Sequence, residues 1–307
     1  TGIGIIEISS VFDQLMPDLV VTIADRFETI ATAVAASYLN IPLAHIQGGE
    51  VTGSIDEKVR HSITKLSDLH FVSNKKAAER VFRLGEKKEK IFNSGCPSID
   101  IAREVFETAD TNFDPFAKYG GVGYGKSLDL SNGYIVVMQH PVTNEYEQSG
   151  KQIMHTLEAV QNINMPTLWF WPNVDAGSDA VSKAIREYRE LSAPKNIHYF
   201  RNMESIDFLR LLHNSNAIVG NSSVAIRECS FLGVPAVNIG SRQSGRDRGK
   251  NVIDVGYVTS KIEDAIRIQI SKEHFESDLL YGEGDAGKKI ASLLEKVELT
   301  CEKKLIY

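Results

Sequence analysis

The chain has 307 residues, enough for two domains with well-buried cores, and its 42% hydrophobic and 24% charged residues are ordinary for a globular protein. A formal net charge of −6 and the lack of any basic block argue against nucleic acid or an anionic membrane as partner. No apolar run approaches the ~20 residues of a membrane-crossing helix, and Cys96, Cys229 and Cys301 are too scattered for a disulfide framework or a zinc site. A cytoplasmic location is expected.

The chain opens on an amphipathic segment, IGIIEISSVFDQLMPD. Apolar runs then alternate with helical periodicity, the pattern of βα units around parallel sheets. In the first part the strands are DLVVTIAD, PLAHIQ, LHFVSN and KIFNSG, with helices over 27–39, 55–66 and 75–84. The stretch 108–133, rich in Gly, Asp, Asn and Ser, reads as an inter-domain connection. Six further strands follow, YIVVMQH, TLWFWPN, IHYFRN, AIVGNS, PAVNIG and NVIDVG, with helices over 145–163, 175–190, 204–214, 223–232 and 260–270. A last helix, 286–297, puts Ile290, Leu293, Leu294 and Val297 on one face. The expected fold is α/β: a first Rossmann-like lobe over 1–112, a second over 113–280, a cleft between them, and a C-terminal helix in 281–307 packing back on the first.

The densest chemistry is HIQGGEVTGSIDEKVRH, which begins at His45 and follows a strand expected inside a parallel sheet. Ligands of open α/β sheets bind at the carboxyl ends of strands, where this segment lies. Gly48, Gly49 and Gly53 would let a ligand approach the main chain. Ser54 with Glu57 also makes a capping box, and Asp56–Arg60 and Glu57–His61 are i,i+4 pairs that support a helix. His45 and Glu50 fall outside both explanations. Asp25 and Arg26 sit between a strand and a helix. Asp25 is there as a cap or a functional group, and Arg26 opposes the macrodipole unless an anion accompanies it.

In the second part, His140 ends a strand at Pro141. Gly220-Asn221-Ser222-Ser223 then leads from a strand into an expected helix, a cradle for phosphate. Glu228 follows on that helix as a partner for a ribose diol, and Arg242, Arg246 and Arg248 lie in the next loop. GGVGYGKS, ending at Ser127, matches the phosphate-loop pattern but has neither a strand before it nor a helix after it, so Lys126 is expected to take no part.

Taken together, the segments IADRFE, HIQGGEVTGSIDEKVRH, GCPSID, QHPVTNE, WPNVDAGS, VGNSSVAIRE and IGSRQSGRDRGKNV resemble the UDP-N-acetylglucosamine 2-epimerases, especially the hydrolysing kind that supplies N-acetylmannosamine-type sugars for sialic and legionaminic acids. The resemblance runs through nearly the whole chain. It implies a GT-B-like fold and a nucleotide-sugar substrate, linked to UDP or GDP, with carbon 4 open to substitution. It implies no cofactor, no metal, and assembly as a homo-oligomer. The implied reaction is anti elimination of the nucleotide diphosphate to a 2-acetamidoglucal, followed by addition of water. Carried over residue by residue, Asp25, Glu50, Asp56 and Glu57 become acid/base candidates, and His140 lies near the phosphates. Arg26, His45, Asn173, Asn221, Ser222, Ser223, Glu228 and Arg242 become binding residues. Two departures stand out. Gln47 replaces a glutamate of some relatives, leaving Glu50 or Asp56 to take its role. The family's opening strand and Gly-Thr-Arg-type loop have no counterpart, so the chain is expected to be a fragment with DLVVTIAD as an exposed apolar edge. A non-hydrolysing epimerase, a GT-B glycosyltransferase and an inactive sugar-nucleotide-binding fragment are the alternatives.

Overall fold

Four-residue apolar runs bounded by turns form most strands of the structure, a computed structural model that describes residues 1–26, 28–53, 55–108 and 113–304. The first of two units comprises Thr1–Asp100 and Tyr281–Tyr307. It holds, in chain order, α1 (Gly2–Leu15), β1 (Val20–Ile23), α2 (Thr29–Tyr38), β2 (Leu43–Ile46), α3 (Asp56–Leu66), β3 (Leu69–Val72), α4 (Lys75–Arg83) and β4 (Ile91–Asn93). The four strands are parallel and lie in sequence order. Every residue of β2 and β3 is buried, as expected of central strands covered on both faces. On β1, an edge strand, Val21 and Ile23 are 44% and 54% exposed.

The division between units falls at Asp100–Ile101, inside α5 (Pro97–Thr108), rather than after residue 112. The second unit continues with α6 (Pro115–Tyr119), β5 (Gly123–Tyr124), β6 (Ile135–Met138), α7 (Ser149–Ile163), β7 (Thr167–Phe170), α8 (Ser178–Ser192), β8 (Ile197–Phe200), α9 (Ser205–His213) and β9 (Ala217–Gly220). It ends with α10 (Glu228–Leu232), β10 (Ala236–Ile239), β11 (Val252–Val255) and α11 (Thr259–Ile270). Its sheet runs β11-β10-β9-β6-β7-β8-β5, parallel except for β5. The strand order reverses between β6 and β9, which makes their carboxyl ends a topological switch point.

The last helix, α12 (Ala286–Leu294), belongs to the first unit. Asp100 accepts hydrogen bonds from the amides of Ala286 and Gly287 at 2.9 and 2.7 Å and so caps it. Ile290, Leu293, Leu294 and Val297 pack on Ala44, Ile46, Leu69 and Phe71.

Several expected elements change form. The helix expected from residue 145 starts as a 3-10 segment, Thr143–Gln148, before α7. The helix expected over 223–232 is a 3-10 turn, Ser223–Ala225, followed by the separate α10. The stretch read as a connection contains α6 and β5, and both belong to the second unit. Phe27, the expected start of α2, and Ser54, of the capping box, lie outside the described residues.

Candidate functional site

In the first unit, β1 and β2 end side by side, Ile23 opposite Ile46. The chain leaves each through a non-glycine residue in the left-handed region, Ala24 (φ 61°) and Gln47 (φ 68°). Hydrogen bonds hold both turns. Ala24 donates its amide to Ile46 and accepts from His45 Nε2, each at 2.9 Å, while Gln47 Nε2 donates to Cys96 Sγ at 2.9 Å. A carbonyl can only accept, so His45 carries its proton on Nε2, and Nδ1 accepts from the Thr64 hydroxyl at 3.2 Å. Burial pushes the His45 pKa down to about 4, and the ring is neutral at pH 7. The structure thus sets His45 as a prop under the turn that presents Asp25.

Arg60 of α3 ties this loop cluster together. It is 1% exposed; Nη2 donates to the Asp25 carboxylate and, at 3.3 Å, to Thr52 Oγ1, while Nη1 donates to the Glu50 carbonyl at 2.6 Å. Sequence spacing offered Arg60 only a helical pair with Asp56, but its guanidinium reaches Asp25, 35 residues away. Asp25 is not the cap of α2, a position held by Glu28. Glu50 is buried and its carboxylate accepts from Ser73 Oγ at 2.6 Å. Glu57 accepts from the Thr52 amide at 3.1 Å and pairs with His61 at 3.3 Å. Asp56 is half-buried in the first turn of α3. Arg26 is exposed, with Nε 2.6 Å from Glu28. Gly48 and Gly49 serve packing more than ligand approach: a Cβ on Gly48 would lie 3.0 Å from His45 Nδ1, and one on Gly49 (φ 74°) 2.3 Å from the Ala77 carbonyl of α4.

In the second unit the site forms at the switch point. His140 follows β6, Asn221 follows β9, and they clamp each other: His140 N donates to Asn221 Oδ1 at 2.7 Å, and Asn221 Nδ2 returns to His140 O at 2.8 Å. Gly220 (φ 135°) makes this approach possible, since a Cβ there would stand 2.0 Å from the Met138 carbonyl. His140 Nδ1 accepts from the Asn173 amide at 3.1 Å, so Nε2 holds the ring proton. Burial, with help from the Arg242 charge, lowers the His140 pKa to about 3. His140 is therefore a neutral donor, not a cationic acid.

The Asn221 carbonyl accepts from Gln243 Nε2 at 2.9 Å and Arg242 Nη1 at 3.4 Å, and Arg242 Nη2 lies 3.8 Å from Asp175. Ser222 caps the short turn through the Val224 amide at 3.4 Å, and Ser223 Oγ accepts from Arg227 at 3.0 Å. Glu228 is buried at the start of α10, 3.8 Å from Arg227. Arg227 and Gln243 are thus members that the sequence reading passed over, although both flank residues it chose. Arg248 is structural: it pairs with Asp254 and donates to the Gln243 carbonyl at 2.5 Å.

GGVGYGKS forms no phosphate loop. Its middle is β5, an antiparallel edge strand on Tyr199 and Phe200, and the Lys126 carbonyl meets His198 Nδ1 at 3.0 Å. Among the described residues no group of three or more His, Cys, Asp or Glu is placed to hold a metal ion, and no helix is long and apolar enough to cross a membrane.

Residues 1–295 match the family described as UDP-N-acetylglucosamine 2-epimerase. The UDP-N,N'-diacetylbacillosamine 2-epimerase (hydrolysing) of Legionella pneumophila is 33% identical over 298 residues, covering 97% of this chain and 76% of that protein. The UDP-N-acetylglucosamine 2-epimerase of Neisseria meningitidis is 32% identical over 278 residues, covering 91% and 70%. The crystal structure of the Methanocaldococcus jannaschii UDP-GlcNAc 2-epimerase in complex with UDP-GlcNAc and UDP superposes with a TM-score of 0.80 at 21% identity, covering 96% of this chain and 80% of that one. That likeness shows a shared fold, two Rossmann-like lobes of the GT-B-like kind.

Proposed function

The chain belongs to the UDP-N-acetylglucosamine 2-epimerase family, and we propose that it is of the hydrolysing kind, releasing a free 2-epimerised 2-acetamido sugar and a nucleoside diphosphate. The observation that carries this reading is the 33% identity, over 97% of the chain, to a relative named as hydrolysing. The substrate is UDP-N-acetylglucosamine or an analogue substituted at carbon 4. The protein acts in the cytoplasm as a homo-oligomer and without a cofactor.

The chemistry asks for a base at carbon 2, donors for a departing diphosphate, and a proton source for the opposite face. Asp25, oriented by Arg60, and Asp56, at the helix start, are the acid/base pair. Glu50, turned onto Ser73, braces the loop together with His45, and Glu57 holds the Thr52 amide. One carboxylate takes the carbon 2 proton as the bond from carbon 1 to the phosphate oxygen breaks, giving the glucal and the diphosphate. Water then bonds to carbon 1 and a proton returns to carbon 2 from the other side.

The His140 Nε2–H, the Ser222 and Ser223 hydroxyls and Arg242 receive the diphosphate, and Glu228 receives the ribose diol. Asn221 and Asn173 position His140, and Arg26 is a further ligand contact. The test is incubation of the protein in D2O with UDP-N-acetylglucosamine and its 4-acetamido and GDP-linked counterparts, followed by proton and phosphorus NMR. Free nucleoside diphosphate and a reducing sugar carrying deuterium at carbon 2 are expected. A nucleotide-linked epimer without free diphosphate would make the enzyme non-hydrolysing, and a product without deuterium at carbon 2 would overturn the elimination.

A further inference from the structure

Behind the Ser223–Ala225 turn, the second unit has a cavity of about 350 Å3 that the proposed chemistry does not use. Ser230 of α10, Asn251 just before β11, and Asp278 line it. Ser230 and Asn251 are 1% and 2% exposed. Asn251 Nδ2 donates to the carbonyls of Ala225 and Val234 at 3.2 and 2.9 Å, which fixes the amide and leaves Oδ1 as its other end. Asp278 Oδ1 accepts from the Leu280 amide at 2.9 Å. Among the described residues neither Ser230 Oγ nor Asn251 Oδ1 has a hydrogen-bond partner.

These oxygens converge. A Cβ built on Gly249 would lie 2.5 Å from Ser230 Oγ, 2.8 Å from Asp278 Oδ2 and 3.2 Å from Asn251 Oδ1, so the three oxygens lie within a few ångströms of one another around this glycine and leave no room for a side chain there. A hydroxyl, an amide oxygen and a carboxylate on one side of an accessible cavity are ligands for a hard cation that keeps water on its other side. Charge selects among such cations. Asp278 supplies one negative charge, while Lys250 and Glu276, also lining the cavity, offset each other.

We propose that Ser230 Oγ, Asn251 Oδ1 and Asp278 Oδ2 form a site for a monovalent alkali cation. The cation satisfies two buried oxygens and polarises the Asn251 amide, strengthening its hydrogen bond to Ala225. That link reaches the turn carrying Ser223, so the effect on nucleotide binding rests on the function proposed above, whereas cation binding itself does not.

The test therefore uses no nucleotide. Thermal unfolding of the protein is followed in NaCl, KCl, CaCl2 and choline chloride at equal ionic strength, for wild type, Ser230→Ala and Asp278→Asn. Sodium or potassium is expected to raise the wild-type Tm saturably by about 2 °C or more over choline. Both variants lose that rise. In choline, Ser230→Ala folds at least as stably as wild type, because it deletes a buried hydroxyl without a partner among the described residues. Equal Tm in the alkali and choline salts, a rise undiminished in both variants, or a rise with calcium alone would each overturn the site.

Discussion

Arg60 is almost wholly out of solvent, and its guanidinium joins the Asp25 carboxylate, the Glu50 carbonyl and the Thr52 hydroxyl. Asp25 is therefore both the counter-charge of a buried cation and a carboxylate at the end of β1, and substitution separates the two roles. In Asp25→Asn the amide oxygen still accepts from Arg60, but the buried charge loses its partner and the proton carrier is gone. Turnover is expected to fall by roughly 10²-fold or more, with Tm lowered and UDP affinity unchanged. Asp56→Asn, on a half-exposed residue, should lower turnover similarly without the loss of Tm. Steady-state kinetics beside calorimetry of UDP binding checks both, and full turnover in Asp25→Asn would leave Asp25 a structural ion pair only.

At the scale of elements, the second-unit site depends on how closely β9 ends against β6. Gly220→Ala would drive a methyl into the Met138 carbonyl, at a positive φ that alanine resists. The variant should lose stability by a few kcal/mol and UDP affinity at least about tenfold, because the Asn221–His140 clamp moves. Retained affinity would disconnect the clamp from the ligand. Lys126→Ala should leave UDP binding and turnover unchanged, since the contact seen at Lys126 comes from its carbonyl on the edge of the sheet. A large loss of nucleotide affinity there would revive the phosphate-loop reading.

Much of this layer is legible in sequence, and the failures have physical causes. The strands are mostly compact apolar runs between turn residues, and their length and flanking turns mark them even where burial is continuous and leaves no period of two. The helix α5 escapes because Ile99, Ala102 and Val105 form its buried face while Ile101 and Phe106, 37% and 45% exposed, lie off it, which blurs the apolar stripe. The break between Ser223–Ala225 and α10 escapes because residues on both sides of it are buried, leaving no amphipathic signal to interrupt. The reach of Arg60 to Asp25 depends on β1 and β2 lying side by side, which no local spacing records.

At the scale of the whole molecule, buried histidines give both units the same weakness toward acid. His45 and His70 in the first unit, and His140, His198 and His213 in the second, all have pKa values lowered chiefly by burial. In the unfolded chain each takes up a proton near pH 6.5, while folded His45 and His140 do so only near about 4 and about 3. Between those values the unfolded state binds more protons, so stability is complete above pH 6.5 and drains away as the pH falls. For a fully buried histidine such as His45 the loss approaches roughly 3 kcal/mol by pH 4.

Glu86 acts in a lower window. Burial raises its pKa, but hydrogen bonds from His70, Lys303 and Lys65 outweigh that and hold it at about 2. Its contribution is present above the ordinary carboxylate range and is lost only as the pH falls below it. Calorimetric unfolding at stepped pH is therefore expected to show Tm falling already between pH 6.5 and 5, before Glu86 titrates, and falling in both units together. His45→Gln should flatten that slope for the first unit and leave the second as it is. A Tm that stays level down to pH 5 would mean that the folded histidines titrate as they do in the unfolded chain, so that His140 would meet its ligand as a cation below about pH 6.5.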